Sequence, residues 1–405
     1  MTLQASQTDK VKLEFKSIQS YLKEERKSYL NIMSQFMGRY GISTHARAMA
    51  ESLSWRISGV LGDDKLLTIT QNIKQQHFGD LNAILLEMYS EEPENTKASL
   101  QFWYPNTYTK FKGVFNIGYY IFEYNIIPRL YVEHINKMDA VCTASEWGKK
   151  VLEENGIKVP IIVFPVGGLF KKRRVHSNSI CENKDRYDLS FYRGGIFKFY
   201  HVGKFEERKG TKLLIQAFNE FSKGDNGIQL HLHIANPHSM LSPRDYLDSV
   251  AGDLNYEHDN IILHDETYEP IKINEYNCGV FPSLAEGVGL PIVEAMTTGM
   301  PVITCFNSGI TQYANRYNCY LIDDLEIVPV YDPNFFPIEG EYGTWEKPSI
   351  ESIVKKMEEV YSDLSNPEQS REKIMEISLN AFDSFTDKWG EYSSNFLKEL
   401  ENYVG

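Results

Sequence analysis

Two kinds of hydrophobic run alternate along most of the chain. Short, largely apolar stretches recur at 29–36, 66–70, 99–103, 114–122, 140–143 and 161–164, the pattern of strands buried in a parallel sheet. Stretches with apolar positions at helical spacing lie at 43–54, 129–136 and 146–155. A polar break over 167–195, rich in Gly, Lys, Arg, Ser and Asn, interrupts the alternation. It then restarts, with strands expected at 197–202, 230–234, 261–263, 279–282 and 302–305 and helices at 211–221, 246–251 and 292–298. The tail is helical through 350–364, 368–382 and 388–403, while residues 323–349, rich in Pro, Gly and aromatics, read as an ordered loop. Ahead of the first strand, Val11, Phe15, Ile18 and Leu22 sit at helical spacing among Lys and Glu, an amphipathic helix. The pattern predicts an α/β protein of two doubly wound units in succession. Its expected limits are a helical extension over 1–28, a first domain over 29–167, a linker over 168–195, a second domain over 196–383 and a final helix over 384–405.

Length agrees with two units: 405 residues, at roughly 100–200 per domain. With 42% hydrophobic and 24% charged residues, the composition is globular and excludes collagen-like or wholly disordered chains. Forty-two basic against 55 acidic residues give −13, which makes nucleic acid a poor partner. Residues 1–167 hold 19 basic and 18 acidic residues, so the −14 of the remainder disfavours membrane docking through the second half. The near-neutral first half with its leading helix leaves room for peripheral contact at the inner face of a membrane. No apolar run approaches the 18 residues of a spanning helix, and residues 1–12 lack the apolar core of a secretory signal. Five scattered cysteines, without a CxxC pair, suit a reducing cytosol and argue against a structural zinc site. A cytoplasmic location is expected.

Three segments carry candidate chemistry. In FPSLAEGVGLPIVEAM, over 281–296, a buried strand gives way to a Gly-containing loop and then a helix that opens near Pro291. Backbone N–H groups of such a loop suit a phosphate or a polar sugar. Glu286 is expected to point from the loop and Glu294 to sit one turn into the helix, two acceptors for hydroxyl pairs on a sugar or ribose. In YHVGKFEERKGT, over 200–211, a strand delivers Gly203 and Lys204, and a short turn brings Lys209 to the start of the next helix. Two ammonium groups at the carboxyl end of a parallel strand can clamp a diphosphate, because ligands of open α/β sheets bind there. In FMGRYGISTHAR, over 36–47, glycines lead into a Ser/Thr-capped helix without GxGxxG spacing, which reads equally as scaffold or as ligand contact. Its His45 reads as a helix-surface residue. His201 and the pair His231 and His233 sit on strands and read as packing residues, as do Trp147 and Trp389. Asp63-Asp64 and Asp323-Asp324 read as loop charges, and the Lys171–Arg174 run as solvated linker.

The run containing Glu286 and Glu294, an E-x7-E pattern, together with HVGKFEERKGTKLLIQAF, resembles the retaining glycosyltransferases of family 4, which have the GT-B fold. GYYIFEYNIIP, MDAVCTASEWGKKVLEENGI, VFPVGG and FTDKWGEYSSNFLKEL extend the resemblance over most of the chain. It implies two Rossmann-like domains facing a cleft, with C-terminal helices crossing back to the first. It further implies transfer of a sugar from a nucleotide donor to a hydroxyl with retention, and no metal or other cofactor. By motif match, Glu294 would bind ribose and Glu286 the donor sugar, and Lys204 and Lys209 would neutralise the diphosphate. Backbone at Gly287, Val288, Gly289 and Leu290 would line sugar and phosphate, with Gly203 beside them and Gly41 approaching from the first domain. Many relatives place a His after the first-domain strand that faces the donor. Here that stretch reads NIGYYIFE with no His, and Glu123 becomes the candidate for contacting sugar or acceptor. A UDP-, GDP- or ADP-linked hexose fits, with an unspecified hydroxyl acceptor in polysaccharide, glycolipid or lipid-linked glycan assembly. The absent His also keeps a non-catalytic GT-B-like subunit in view as the alternative.

Overall fold

The protein is described from a computed structural model, which covers residues 30–34, 57–61, 96–108, 113–165, 195–234, 260–264, 271–366 and 369–386, plus isolated positions including 45, 46, 49, 392, 395 and 396. The expected leading helix, the linker, the Lys171–Arg174 run, Gly41, Asp63-Asp64, Trp389 and most of 388–403 lie outside the described residues. So do the strand expected at 66–70 and nearly all of the helix expected at 246–251.

The first sheet is built from β1 (Leu30–Ser34), β2 (Ile57–Leu61), β3 (Thr96–Phe102), β4 (Gly113–Tyr119), β5 (Ala140–Thr143) and β6 (Ile161–Val163). Their order is β2-β1-β3-β4-β5-β6, and every pairing is parallel. Helices α1 (Arg129–Ile135) and α2 (Glu146–Glu154) follow β4 and β5. Ser145 caps α2 by accepting from Gly148 N, worth about 1 kcal/mol. His45 differs from its expected surface position. It is buried, with Nε2 3.1 Å from the Tyr119 hydroxyl and its ring against Phe102, and burial holds its pKa well below the usual value. A helix packed on a sheet turns one face inward, and residue 45 lies on that face.

The second sheet contains β7 (Phe197–Gly203), β8 (Ile228–Ile234), β9 (Ile261–His264), β10 (Cys278–Phe281), β11 (Val302–Cys305) and β12 (Tyr320–Ile322). Its order, β12-β11-β10-β7-β8-β9, is again parallel throughout. This is the doubly wound order whose direction of growth reverses between β7 and β10, the place where such sheets bind ligands. Helices α3 (Thr211–Ser222), α4 (Leu290–Met296), α5 (Ile350–Ser365) and α6 (Arg371–Thr386) complete it. The inner face of α3 (Leu214, Ile215, Phe218) shares one core with β7, β8 and the Ile353, Met357, Val360 and Leu364 stripe of α5. Beyond α6, Phe396 stacks on Phe164 of the first domain at 4.5 Å, so the tail returns across the molecule.

The structure corrects the reading of 323–349 as a loop. β13 (Leu325–Pro329) and β14 (Thr344–Pro348) form an antiparallel hairpin between β12 and α5. Its Val330 and Trp345 are buried in one cluster with Tyr120, Phe122 and Tyr124 of the first domain and Leu284 and Ala285 of the second.

Candidate active site

The carboxyl ends of β7 and β10 lie side by side and bring two loops together. After β7, Gly203 and Lys204 lead into a single 3-10 turn, Glu207–Lys209. Gly210 follows at φ 67°, and a Cβ there would collide with the Pro282 carbonyl, so glycine is required both by conformation and by the neighbouring loop. Leu284 N donates to Arg208 O at 2.8 Å, which locks the two loops in register.

Glu286 is the hub. The sequence suggests that it stands out from its loop; the structure instead turns it inward and buries it. Lys209 Nζ donates to Oε1 at 2.6 Å, Arg208 Nη1 to Oε2 at 3.0 Å and Ser283 Oγ to Oε1 at 2.8 Å. Its own backbone N–H donates to Ser308 Oγ at 2.8 Å. Burial pushes the carboxyl up, but the Lys209 ammonium and the Arg208 guanidinium outweigh it and hold the pKa down at about 2. Glu286 is therefore an anion at neutral pH.

Arg208 links this hub to two more carboxylates. It donates to Ala285 O at 2.7 Å and to Glu206 Oε2 at 2.8 Å, and lies 3.7 Å from Glu123 Oε1 across the domain boundary. Burial acts to lower its pKa, but Glu123, Glu286 and Glu206 together raise it, so the guanidinium stays charged. Glu123 lies in the segment after β4 with its side chain 31% exposed. Burial raises its carboxyl above the ordinary value; Arg208 pulls the other way, and Glu286 and Glu206 add to the rise. Lys204 differs from Lys209. Its side chain is 40% exposed, 3.5 Å from Glu206 and 5.9 Å from the Phe335 ring centre, whereas Lys209 is 12% exposed.

Gly287, Val288 and Gly289 form the loop into α4, which opens at Leu290, with Val288 O accepting from the Tyr313 hydroxyl at 2.7 Å. Gly287 packs against Ile121 and Phe122 of the first domain. Beside it a narrow cavity opens at the domain seam, lined by Ala144 and Pro165 on one side and Gly287, Val288, Val293 and Tyr313 on the other. Glu294 is half-buried on α4, near enough to Tyr200 to reinforce the rise that burial gives that phenol. His201 lies beneath the Lys209 turn, with Nδ1 2.8 Å from Val280 O and Nε2 3.2 Å from Thr211 Oγ1. Burial lowers its pKa to about 4, so the ring is neutral, donating from Nδ1 and accepting at Nε2. His231 and His233 of β8 stack on His264 of β9, and Tyr276 meets the His233 ring edge-on. Among the described residues no group of three metal-ligating side chains is placed to hold an ion. No helix among them is long and apolar enough to cross a membrane.

The structure thus brings Lys204, Lys209, Glu286 and Glu123 to one place, with Gly203 and the 287–290 loop around them. Sequence reasoning missed Arg208, Glu206, Ser283 and Ser308. The available signal for Arg208 was the density of charge in the EERK turn at a strand's carboxyl end.

Residues 197–328 match the family model described as Glycosyl transferases group 1. No curated protein matches the chain. Among solved structures the chain is similar to TarM of S. aureus, at 16% identity and TM-score 0.53. That alignment covers 76% of this chain and 54% of the other, so the chain spans about half the length of TarM. It is also similar to a sucrose-phosphate synthase from Thermosynechococcus elongatus, at 13% identity and TM-score 0.61, over 93% of this chain and 99% of that one. Anabaena HepE, solved with UDP and glucose, aligns at 13% identity and TM-score 0.57, over 93% and 100%. The chain has the GT-B fold, and the match to the family model lies in its second domain.

Proposed function

We propose that the chain is a retaining glycosyltransferase that moves a hexose from a nucleotide sugar to an acceptor hydroxyl. The observation that carries the reading is the cluster of cations, Lys204, Arg208 and Lys209, around buried Glu286 at the point where the second sheet reverses. In the reaction the bond from the anomeric carbon to the diphosphate oxygen breaks and the bond to the acceptor oxygen forms on the same face. The acceptor proton passes to the departing phosphate. Negative charge grows on the diphosphate, where Lys204 and Lys209 stabilise it without reorganising. Glu286 receives a hydroxyl of the donor sugar, Glu294 the ribose hydroxyls, and the backbone of 287–290 lines sugar and phosphate, with Gly203 and Gly41 alongside. Glu123 stands where the sugar meets the acceptor. No metal is assigned a role. The acceptor belongs to polysaccharide, glycolipid or lipid-linked glycan assembly, in the cytosol with peripheral membrane contact.

Calorimetric titration with UDP, GDP and ADP tests the reading. One of the three is expected to bind, and Glu294→Ala to weaken it roughly tenfold to a hundredfold, the equivalent of losing a hydrogen bond to a charged group. Flat titrations with all three would replace the enzyme by a non-catalytic subunit of the same fold. Glu123→Gln is expected to leave nucleotide affinity unchanged and to slow release of the nucleoside diphosphate from the donor in the presence of acceptor. Unchanged turnover in that variant would make Glu123 a structural residue.

A further inference from the structure

The β13–β14 hairpin touches each of the three segments that carry the charged cluster. On the first domain, Trp345 Nε1 donates to Glu123 O at 2.6 Å and Ile126 N donates to Tyr342 O at 3.0 Å. Thr344 N donates to Asn125 Oδ1 at 2.8 Å, while Asn125 Nδ2 donates to Thr344 Oγ1 at 2.9 Å. Gly343, at φ 92°, lies so close beneath Asn125 that a Cβ would overlap its amide oxygen. On the turn that carries Arg208 and Lys209, Glu207 N donates to the buried Asp332 at 2.9 Å. On the Glu286 loop, Glu346 N donates to Leu284 O and Asn307 Nδ2 to Glu346 O, both at 3.2 Å.

Two Rossmann-like domains joined by a linker move relative to each other unless a contact fixes them. The only side-chain link described between Glu123 and Arg208 is an ion pair at 3.7 Å, on a carboxylate that is 31% exposed. At that distance the two groups attract through charge without a directed hydrogen bond, so the pair does not fix the orientation of the Glu123 segment. The backbone of Glu123, by contrast, is held by a directed bond from a buried indole, and its neighbour Asn125 by a reciprocal pair. Hydrogen bonds of that kind fix position where the ion pair does not.

We infer that residues 325–348 are a registering arm, in which Trp345, Asn125 and Asp332 act as positioning residues. They hold Glu123 of the first domain against Arg208 and Glu286 of the second, so that the cross-domain part of the site is assembled before substrate arrives. The catalytic consequence rests on the function proposed above; the tethering does not.

The test uses the full chain with Cys181→Ser, the four described cysteines being buried, and nitroxides on cysteines introduced at the exposed Glu153 of α2 and Glu358 of α5. Pulsed electron resonance should give one narrow distance distribution for the parent and a broadened one for Trp345→Phe with Asn125→Ala. Trp345→Phe alone keeps an aromatic ring against Phe336 and removes only the indole donor, so it serves if the double variant does not fold. Nucleotide titration and turnover are measured alongside. The expected result is unchanged nucleotide affinity, since the assigned nucleotide-binding side chains belong to the second domain, with turnover reduced by up to about a hundredfold, the loss typical of a misplaced group. An unchanged distance distribution overturns the arm whatever the activity. Nucleotide affinity falling in step with turnover overturns its positioning role. If the parent binds none of UDP, GDP and ADP, it is the proposed function that fails, and the distance distribution still decides the tether.

Discussion

Arg208→Ala is expected to destabilise the second domain by about 3–5 kcal/mol, the range for removing one partner of a buried ion pair. The guanidinium donates to Glu206, Glu286 and the Ala285 carbonyl at once, with its side chain only 9% exposed. Truncation leaves all three acceptors short of a donor in a place water reaches poorly. Glu286 keeps Lys209 and Ser283, and so is partly compensated; among the described residues Glu206 keeps the looser contact to Lys204 at 3.5 Å. Arg208→Lys should recover a fraction, because one ammonium cannot span the same three acceptors in a plane. Urea unfolding at pH 7, followed by a probe in the second domain, gives the number. A shift below 1 kcal/mol would mean that the cluster relaxes or hydrates without Arg208.

The same variant has a signature in acid. Glu286 is held at about 2 in the folded protein against an ordinary value of 4.5, a depressed carboxyl. Its contribution to stability is therefore complete above about pH 4.5 and lost as the pH falls toward 2. Without Arg208 the folded value moves up toward the ordinary one, so stability should depend less steeply on pH across that window than in the parent.

Much of the scaffold was legible because buried parallel strands have little choice of residue. The runs at 197–202, 230–234, 279–282 and 302–305 fall on β7, β8, β10 and β11 to within two residues, and β10 and β11 are buried at every position. The arm was hidden for the opposite reason. β13 is LEIVP with Ile327 exposed and β14 is TWEKP, so charges and prolines stand where a strand is usually recognised by apolar alternation. Their pairing is a local affair of backbone bonds, and their burial depends on Trp345 meeting a segment more than 200 residues earlier. Glu286 and Lys209 were visible as separate acidic and basic candidates. That they hold each other was not, because 77 residues separate them and only the adjacency of β7 and β10 brings them together. His45 was misplaced because spacing marks a helix face without saying which neighbours, here Phe102 and Tyr119, will cover it.

Lys209→Ala is expected to reduce turnover by about 10²–10³ while changing nucleotide affinity far less. The asymmetry follows from what Lys209 does before substrate arrives. Its ammonium already rests 2.6 Å from Glu286, so a diphosphate that binds there exchanges one anionic partner for another, and the ground state gains little. As the glycosidic bond breaks, charge accumulates on the departing phosphate, and the benefit of a fixed, largely buried cation grows with it. Lys204, 40% exposed, works through more solvent, and Lys204→Ala should be the milder change. Glu286 keeps its bonds from Arg208 and Ser283 in the Lys209 variant, so loss of activity should not be accompanied by loss of fold. The comparison is made on nucleoside diphosphate release under saturating donor, with titrations on both proteins. Turnover within threefold of the parent would remove Lys209 from the chemistry. A fall in affinity as large as the fall in turnover would show that Lys209 binds the ground state as strongly as the transition state, leaving Arg208 and Lys204 to stabilise the leaving group.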